Sequence, residues 1–202
     1  MSTTFRWPRI APGDRVVLVG PSGCGKTELA KSLLSTRRNA LVIDTKGVEE
    51  WRDIGTPVTR KEVGRIRGGR FVFTVPDSFI VEPDEQSILL LALLRAGNRV
   101  VYLDELYDFL PTHGLKIIAT KGRASKVGLW AATQRPFHVP LFTISEAQHF
   151  FVFGLRLDQD QKRMEQATGT QLPWKALLAR KHSFVYVNES GMLHTPTKLL
   201  LE

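Results

Sequence analysis

Short apolar runs alternate along the chain with longer, mixed stretches. Val16–Val19, Leu41–Asp44, Phe71–Val75, Val100–Leu103 and Leu129–Thr133 are apolar and often β-branched. Runs of that length with few polar positions predict strands buried on both faces of a parallel sheet. Lys26–Ser35, Asp84–Ala96 and Thr112–Ser125 lie between them and read as helices. The alternation predicts a wound α/β fold. Beyond Pro136 we expect a helix near Ile144–Gln148, a strand over Phe150–Leu155, and a helix over Gln159–Ala167 ended by Gly169. His182–Asn188 and Met192–Thr195, joined across Glu189-Ser190-Gly191, read as a closing β-hairpin.

Pro8, Pro12 and Gly13 make residues 1–14 an irregular lead-in. Neither an internal repeat nor a linker is visible, so residues 1–202 read as one domain, with 157–202 as its C-terminal helix and hairpin extension. A length of 202 residues suits one α/β domain with a substantial core.

The turn after the first strand carries the chemistry. Gly20-Pro21-Ser22-Gly23-Cys24-Gly25-Lys26-Thr27 fills every fixed position of the phosphate-loop pattern G-x-x-x-x-G-K-[ST]. The glycines let the backbone wrap an anion with its N–H groups pointing inward, and the helix start adds a favourable dipole. Lys26 reaches the outer phosphates, the Thr27 hydroxyl suits Mg²⁺, and Glu28 closes the candidate binding segment. A nucleoside triphosphate, ATP with Mg²⁺, is the expected ligand. Cys24 is the chain's one cysteine, which excludes an intrachain disulfide and leaves this position a filler of the loop.

Val100-Val101-Tyr102-Leu103-Asp104-Glu105 is an apolar strand ending in two acids. Asp104 is placed to act on the Mg²⁺ with Thr27, and Glu105 to polarise the water that attacks the γ-phosphate. Simple phosphate kinases usually lack such an added acid. Leu129–Thr133 ends at Gln134-Arg135-Pro136, where Gln134 could sense the γ-phosphate from a neighbouring strand tip.

Charge adds a partner class. Net charge is +8, which favours a polyanion, nucleic acid first and an acidic membrane surface second. Arg60-Lys61-Glu62-Val63-Gly64-Arg65-Ile66-Arg67-Gly68-Gly69-Arg70 holds five cations and three glycines in eleven residues. Arg60, Lys61, Arg65, Arg67 and Arg70 are therefore candidate DNA contacts on a mobile loop, with a solvated basic connector as the alternative. Lys162, Arg163 and the Arg180-Lys181-His182 group read as solvated faces. No apolar leader is visible at the start, and the longest apolar run, Ile88–Leu94, is far short of the ~20 residues that span a bilayer. The chain is expected to work on the cytoplasmic side of any membrane.

Taken in order, the phosphate loop, Leu103-Asp104-Glu105 and Ala132-Thr133-Gln134-Arg135-Pro136 resemble the FtsK/HerA superfamily of ring-forming, DNA-pumping ATPases. Ile43-Asp44-Thr45-Lys46-Gly47 is similar to that family's Asp-Pro-Lys segment, with Thr45 in place of proline. Arg123 stands eleven residues before Gln134, the spacing of an arginine that relatives insert into a neighbour's site. The resemblance covers residues 13–156. It implies a RecA-like additional-strand P-loop fold with the Gln134 strand between the phosphate-loop and Asp104 strands. It further implies a homo-oligomeric ring, a hexamer, acting on double-stranded DNA, with Arg123 as the trans finger and Arg135 and Arg156 as its competitors. About 14 residues precede this core and 46 follow Arg156, so the chain reads as a bare motor. Such motors resemble the genome-packaging ATPases of tailless, membrane-containing icosahedral DNA viruses. That implies work in the host cytoplasm and at a virion vertex, beside capsid or internal-membrane proteins. The alternatives are a cellular or plasmid translocase, a small P-loop nucleotide kinase, and a non-hydrolysing DNA-tethering factor.

Overall fold

The structure, a computed structural model, describes residues 8–47, 49–192 and 197–198. Among the described residues ten strands are formed: β1 Val16–Val19, β2 Asn39–Asp44, β3 Thr56–Pro57, β4 Gly69–Thr74, β5 Arg99–Leu103, β6 Val127–Thr133, β7 His149–Phe153, β8 Ser183–Asn188, β9 Gly191–Met192 and β10 Thr197–Lys198. The helices are α1 Lys26–Ser35, α2 Arg60–Val63, α3 Asp77–Val81, α4 Pro83–Ala96, α5 His113–Lys121, α6 Leu141–Ser145, α7 Asp158–Thr168 and α8 Trp174–Ala179.

All strands join one sheet in the order β10-β8-β7-β1-β6-β5-β2-β4-β3, with β9 also on β8. The seven strands from β7 to β3 run parallel to their neighbours, and β8 turns antiparallel against β7. The strand that ends at Gln134 lies between the phosphate-loop strand and the Asp104 strand, as the resemblance implied. This is the additional-strand P-loop arrangement, mostly parallel with antiparallel strands at its C-terminal side.

Strand pleating sorts the core into two layers. Val17 and Val19 pack with α4, α5 and α7 residues such as Leu89, Ile118 and Met164. Val16 and Leu18 pack on the other face with Leu29, Ala30, Leu33 and Leu34 of α1, and with Trp51, Trp130 and Phe151. Helix α1 thus covers one face while α4, α5 and α7 cover the other.

Most strand expectations fall within two residues of the observed bounds, but several elements differ. The expected Thr112–Ser125 helix gives way at Gly122 to a 3₁₀ turn, and only glycine fits there, since a Cβ would lie 2.5 Å from the Val127 carbonyl oxygen. The expected helix at Ile144–Gln148 starts earlier, at Leu141 just after Pro140, and stops at Ser145. The closing hairpin forms from β8 and β9 with Val187 opposite Met192, while 193–195 lie outside the described residues. The short α2, α3, α8, β3 and β10 carry too few residues to show a period. Among the described residues no helix is long and apolar enough to cross a membrane.

Candidate active site

Parallel strands deliver their following turns to one sheet edge, and β1, β5, β6 and β7 do so here. Val19 pairs with Thr133 and with Val152, so Gly20, Gln134 and Gly154 leave the sheet side by side. Gly20 N–H donates to the Thr133 carbonyl at 3.2 Å, tying the loop to the Gln134 strand. A Cβ on Gly20 would lie 2.6 Å from Phe153 Cβ, so only glycine fits at that crossing. Gly23 and Gly25 take φ of 70° and 104°, the left-handed region that favours glycine. Helix α1 then starts with no side-chain cap on its N-terminal N–H groups, which leaves them open to an anion.

Lys26 is buried at 8% exposure, and its ammonium donates to the carbonyls of Gly20 at 2.7 Å and Pro21 at 2.9 Å. Burial lowers its pKa, with the Cys24 thiol and the carboxylates Glu105 and Asp104 acting against the shift. A cation held in a dry loop beside open N–H groups is an arrangement made for a polyanion. A cleft of about 400 Å³ opens in front of it, lined among others by Thr27, Glu28, Lys46, Asp104, Gln134 and His182.

Asp104 and Glu105 follow β5 on the same edge, 3% and 6% exposed. Burial pushes the Asp104 carboxyl up, Lys46 opposes that shift, and Asp44 and Glu105 add to it. Glu105 Oε1 accepts from Gln134 N at 3.4 Å and from Tyr107 N at 3.5 Å, while Oε2 has no hydrogen-bond partner. The three expected segments therefore converge: phosphate loop, Asp104 and Gln134 line one cleft, with Glu105 buried beside Asp104 and bonded to the Gln134 backbone.

The arginines separate by position. Arg123 precedes β6 and lies at the opposite, N-terminal edge of the sheet. There its guanidinium is 3.9 Å from Asp14 and its side chain is 64% exposed. Asp14 in turn meets His149 at 3.2 Å, and His149 meets the Tyr186 hydroxyl at 2.6 Å. Arg135 stays on the nucleotide-facing edge, pinned by Asp160 at 3.2 Å and by His138 at 3.1 Å. Arg156 lines a second cavity with Pro21, Ser22, Gly23 and Cys24.

The basic stretch differs from a mobile glycine loop. Thr59 and Glu62 form a capping box that starts α2 at Arg60 and Lys61. Arg99 donates to the carbonyls of Ile66 and Arg67, fixing the turn that carries Arg65 and Arg67. Arg70 is a staple rather than an open cation: it donates to the carbonyls of Ile54, Ser35 and Arg37.

Sequence reading missed His182. It sits at φ 60° before β8, its Nδ1 lies 3.2 Å from the Cys24 carbonyl, and it lines both cavities. Only the antiparallel return of β8 beside β7 brings it there, and no spacing in the chain signals that.

No protein-family profile matches the chain. It is 28% identical over 170 residues to the DNA packaging ATPase P9 of Enterobacteria phage PRD1, covering 80% of this chain and 72% of that protein. Among solved structures it is similar to the genome packaging NTPase B204 of Sulfolobus turreted icosahedral virus 2 in complex with AMPPCP. The TM-score is 0.75 at 19% identity, over 95% of this chain and all of that one. It is also similar to VirB4 of Thermoanaerobacter pseudethanolicus, with TM-score 0.67 at 11% identity over 93% of this chain and 89% of that one. The P-loop ATPase fold thus extends over nearly the whole chain, and the sequence likeness to a viral DNA packaging ATPase over 80% of it.

Proposed function

We propose that this chain is an ATP-hydrolysing motor that drives double-stranded DNA into a viral capsid. One observation carries the reading: phosphate loop, paired acids and Gln134 meet at one sheet edge, while Arg123 stands exposed at the other. Such a subunit holds a nearly complete hydrolytic site and offers an arginine to a different one.

In this reading the phosphates of ATP lie on the N–H groups of Gly20–Thr27 with Lys26 on the outer ones. The second cavity, beside Arg156 and His182, takes the nucleoside end. The Thr27 hydroxyl and the Asp104 carboxylate are oxygen donors fit for Mg²⁺. The fit is supported by the cation that Asp104 already faces, the Lys46 ammonium at 3.4 Å. Bound there, the metal neutralises charge on the phosphates.

Glu105 takes a proton from water as the water oxygen attacks the γ-phosphorus and the bond to the ADP oxygen breaks. Gln134 orients that water and senses the γ-phosphate. Arg123 of a neighbouring copy stabilises the charge that develops, which calls for a homo-oligomeric ring, and the family resemblance implies a hexamer. Residues 1–202 act as one ATPase domain, and Arg60, Lys61, Arg65 and Arg67 are the candidate grips on DNA phosphates. Capsid or internal-membrane proteins at a virion vertex are the docking partners, and the host cytoplasm and virion the places of work.

The test is Mg·ATP binding and turnover in the wild type and Lys26→Ala, with a panel of nucleoside monophosphates alongside duplex DNA. The proposal expects turnover that duplex DNA raises and monophosphates ignore, and no binding by Lys26→Ala. Phosphate transfer to a monophosphate would make the chain a kinase instead.

A further inference from the structure

The phosphate loop accounts for Lys26, but the cleft holds a second ammonium that nothing in that scheme uses. Lys46 follows β2, and its Nζ lies 3.4 Å from Asp104 Oδ2 and 3.9 Å from Glu105 Oε2. It is within 4 Å of both buried acids. Glu105 Oε2 has no hydrogen bond of its own, so Lys46 is the group that balances it.

The backbone beneath Lys46 is built to present it. Asp44, fully buried, accepts through Oδ1 from Lys46 N and Gly47 N, both at 3.0 Å, and through Oδ2 from the Thr74 hydroxyl at 3.3 Å. Thr45 Oγ1 donates to Asp108 Oδ2 at 2.6 Å, which ties the same turn to the segment after Glu105. Gly47 takes φ 66°, a turn that glycine makes without strain. Against this fixed base the Lys46 side chain is 37% exposed, on a flexible four-carbon stem. The turn is tied down by hydrogen bonds, while the charge sits at the end of a half-exposed stem.

We propose that Lys46 is a switch residue: its ammonium, paired with Asp104 and Glu105, transfers to the γ-phosphate of bound ATP. The inference rests on the ATP-site reading above. Its logic is electrostatic. A γ-phosphate in the cleft would compete with the two acids for the ammonium, and a metal held at Asp104 would weaken that acid's hold on it. Departure of Lys46 uncovers Glu105 as the base. ADP brings no γ-phosphate, so Lys46 stays on the acids and Glu105 stays masked. The residue would thereby read which nucleotide is present.

The test is calorimetric binding of Mg·ADP and of a non-hydrolysable ATP analogue with Mg²⁺, using the full chain as wild type, Lys46→Met, Lys46→Arg and Lys26→Ala. A charge-assisted contact to phosphate predicts about tenfold weaker analogue binding by Lys46→Met, with ADP binding changed less than about twofold. Lys46→Arg, which keeps the cation, restores the preference for the analogue. Equal losses for both nucleotides would reduce Lys46 to a structural residue, and no loss for either would remove it from the site. Both results overturn the inference. If instead Lys26→Ala binds both nucleotides like the wild type, the ATP-site reading itself fails.

Discussion

The backbone N–H of Gln134 donates to Glu105 Oε1 at 3.4 Å, so the tips of two adjacent strands share one carboxylate. Tyr107 N, at 3.5 Å, holds the same oxygen from the other side. The second oxygen carries no hydrogen bond and has the Lys46 ammonium 3.9 Å away.

That arrangement separates binding from turnover in Glu105→Gln. The amide keeps an oxygen for Gln134 N and Tyr107 N but takes no proton. Turnover should fall by about 10²–10⁴ while ATP affinity holds. Single-turnover hydrolysis beside equilibrium binding checks this, and wild-type turnover in the variant would remove Glu105 as base.

Arg123 predicts complementation. Arg123→Ala and Lys26→Ala are each expected to lose at least about 10³ in turnover, as arginine-finger and phosphate-loop losses do. Mixed one to one in a ring, the two should recover activity at roughly a quarter of the sites, where an intact Lys26 meets a neighbour's intact Arg123. Recovery is read as ATPase rate against mixing ratio. A mixture as inactive as its components would return the role to Arg135 or Arg156, both on the nucleotide-facing edge.

Asp104 predicts a pH-dependent stability. Burial raises its carboxyl above the ordinary value near 3.8, so the folded, nucleotide-free protein binds the proton more tightly than the unfolded chain. Stability from this group is therefore full at low pH and is lost as pH rises from about 4 through the raised value. Asp104→Asn carries no such loss. The Tm of the variant minus that of the wild type should grow over that window and then level off, although turnover is gone. A difference that shrinks with rising pH would contradict the assignment.

At the far edge, Tyr186→Phe tests the Asp14–His149–Tyr186 chain. The change deletes the hydroxyl 2.6 Å from His149 Nδ1 in a buried setting. Burial also pushes the Tyr186 hydroxyl up to about 12, so it stays a neutral partner throughout the neutral range. Leaving Nδ1 without a partner should cost about 1–3 kcal/mol, measurable by denaturant unfolding. An unchanged midpoint would mean the chain is not a stabilising network.

Much of this was legible in the residues because it is local. Strands such as Val16–Val19 and Val100–Leu103 are continuous apolar runs, and Gly20–Thr27 states its chemistry through glycine and lysine at fixed spacing. The order β1-β6-β5 followed only from the family resemblance, since spacing alone does not arrange strands. What escaped notice depends on distant parts meeting. His182 reaches the Cys24 carbonyl across 158 positions of chain, and Arg70 spends its guanidinium on carbonyls of a helix end that precedes it by more than thirty. Glycines at 64, 68 and 69 suggested a loose loop, yet Thr59, Glu62 and Arg99 hold that stretch by contacts that composition does not reveal.

The most direct test of the central claim is the steady-state ATPase rate per subunit across a protein-concentration series, with and without long duplex DNA. An arginine supplied by a neighbour predicts a specific rate that climbs with concentration as rings assemble, and that DNA raises further. A rate per subunit that is constant with dilution and indifferent to DNA would contradict the account, because each chain would then complete its own site and move nothing.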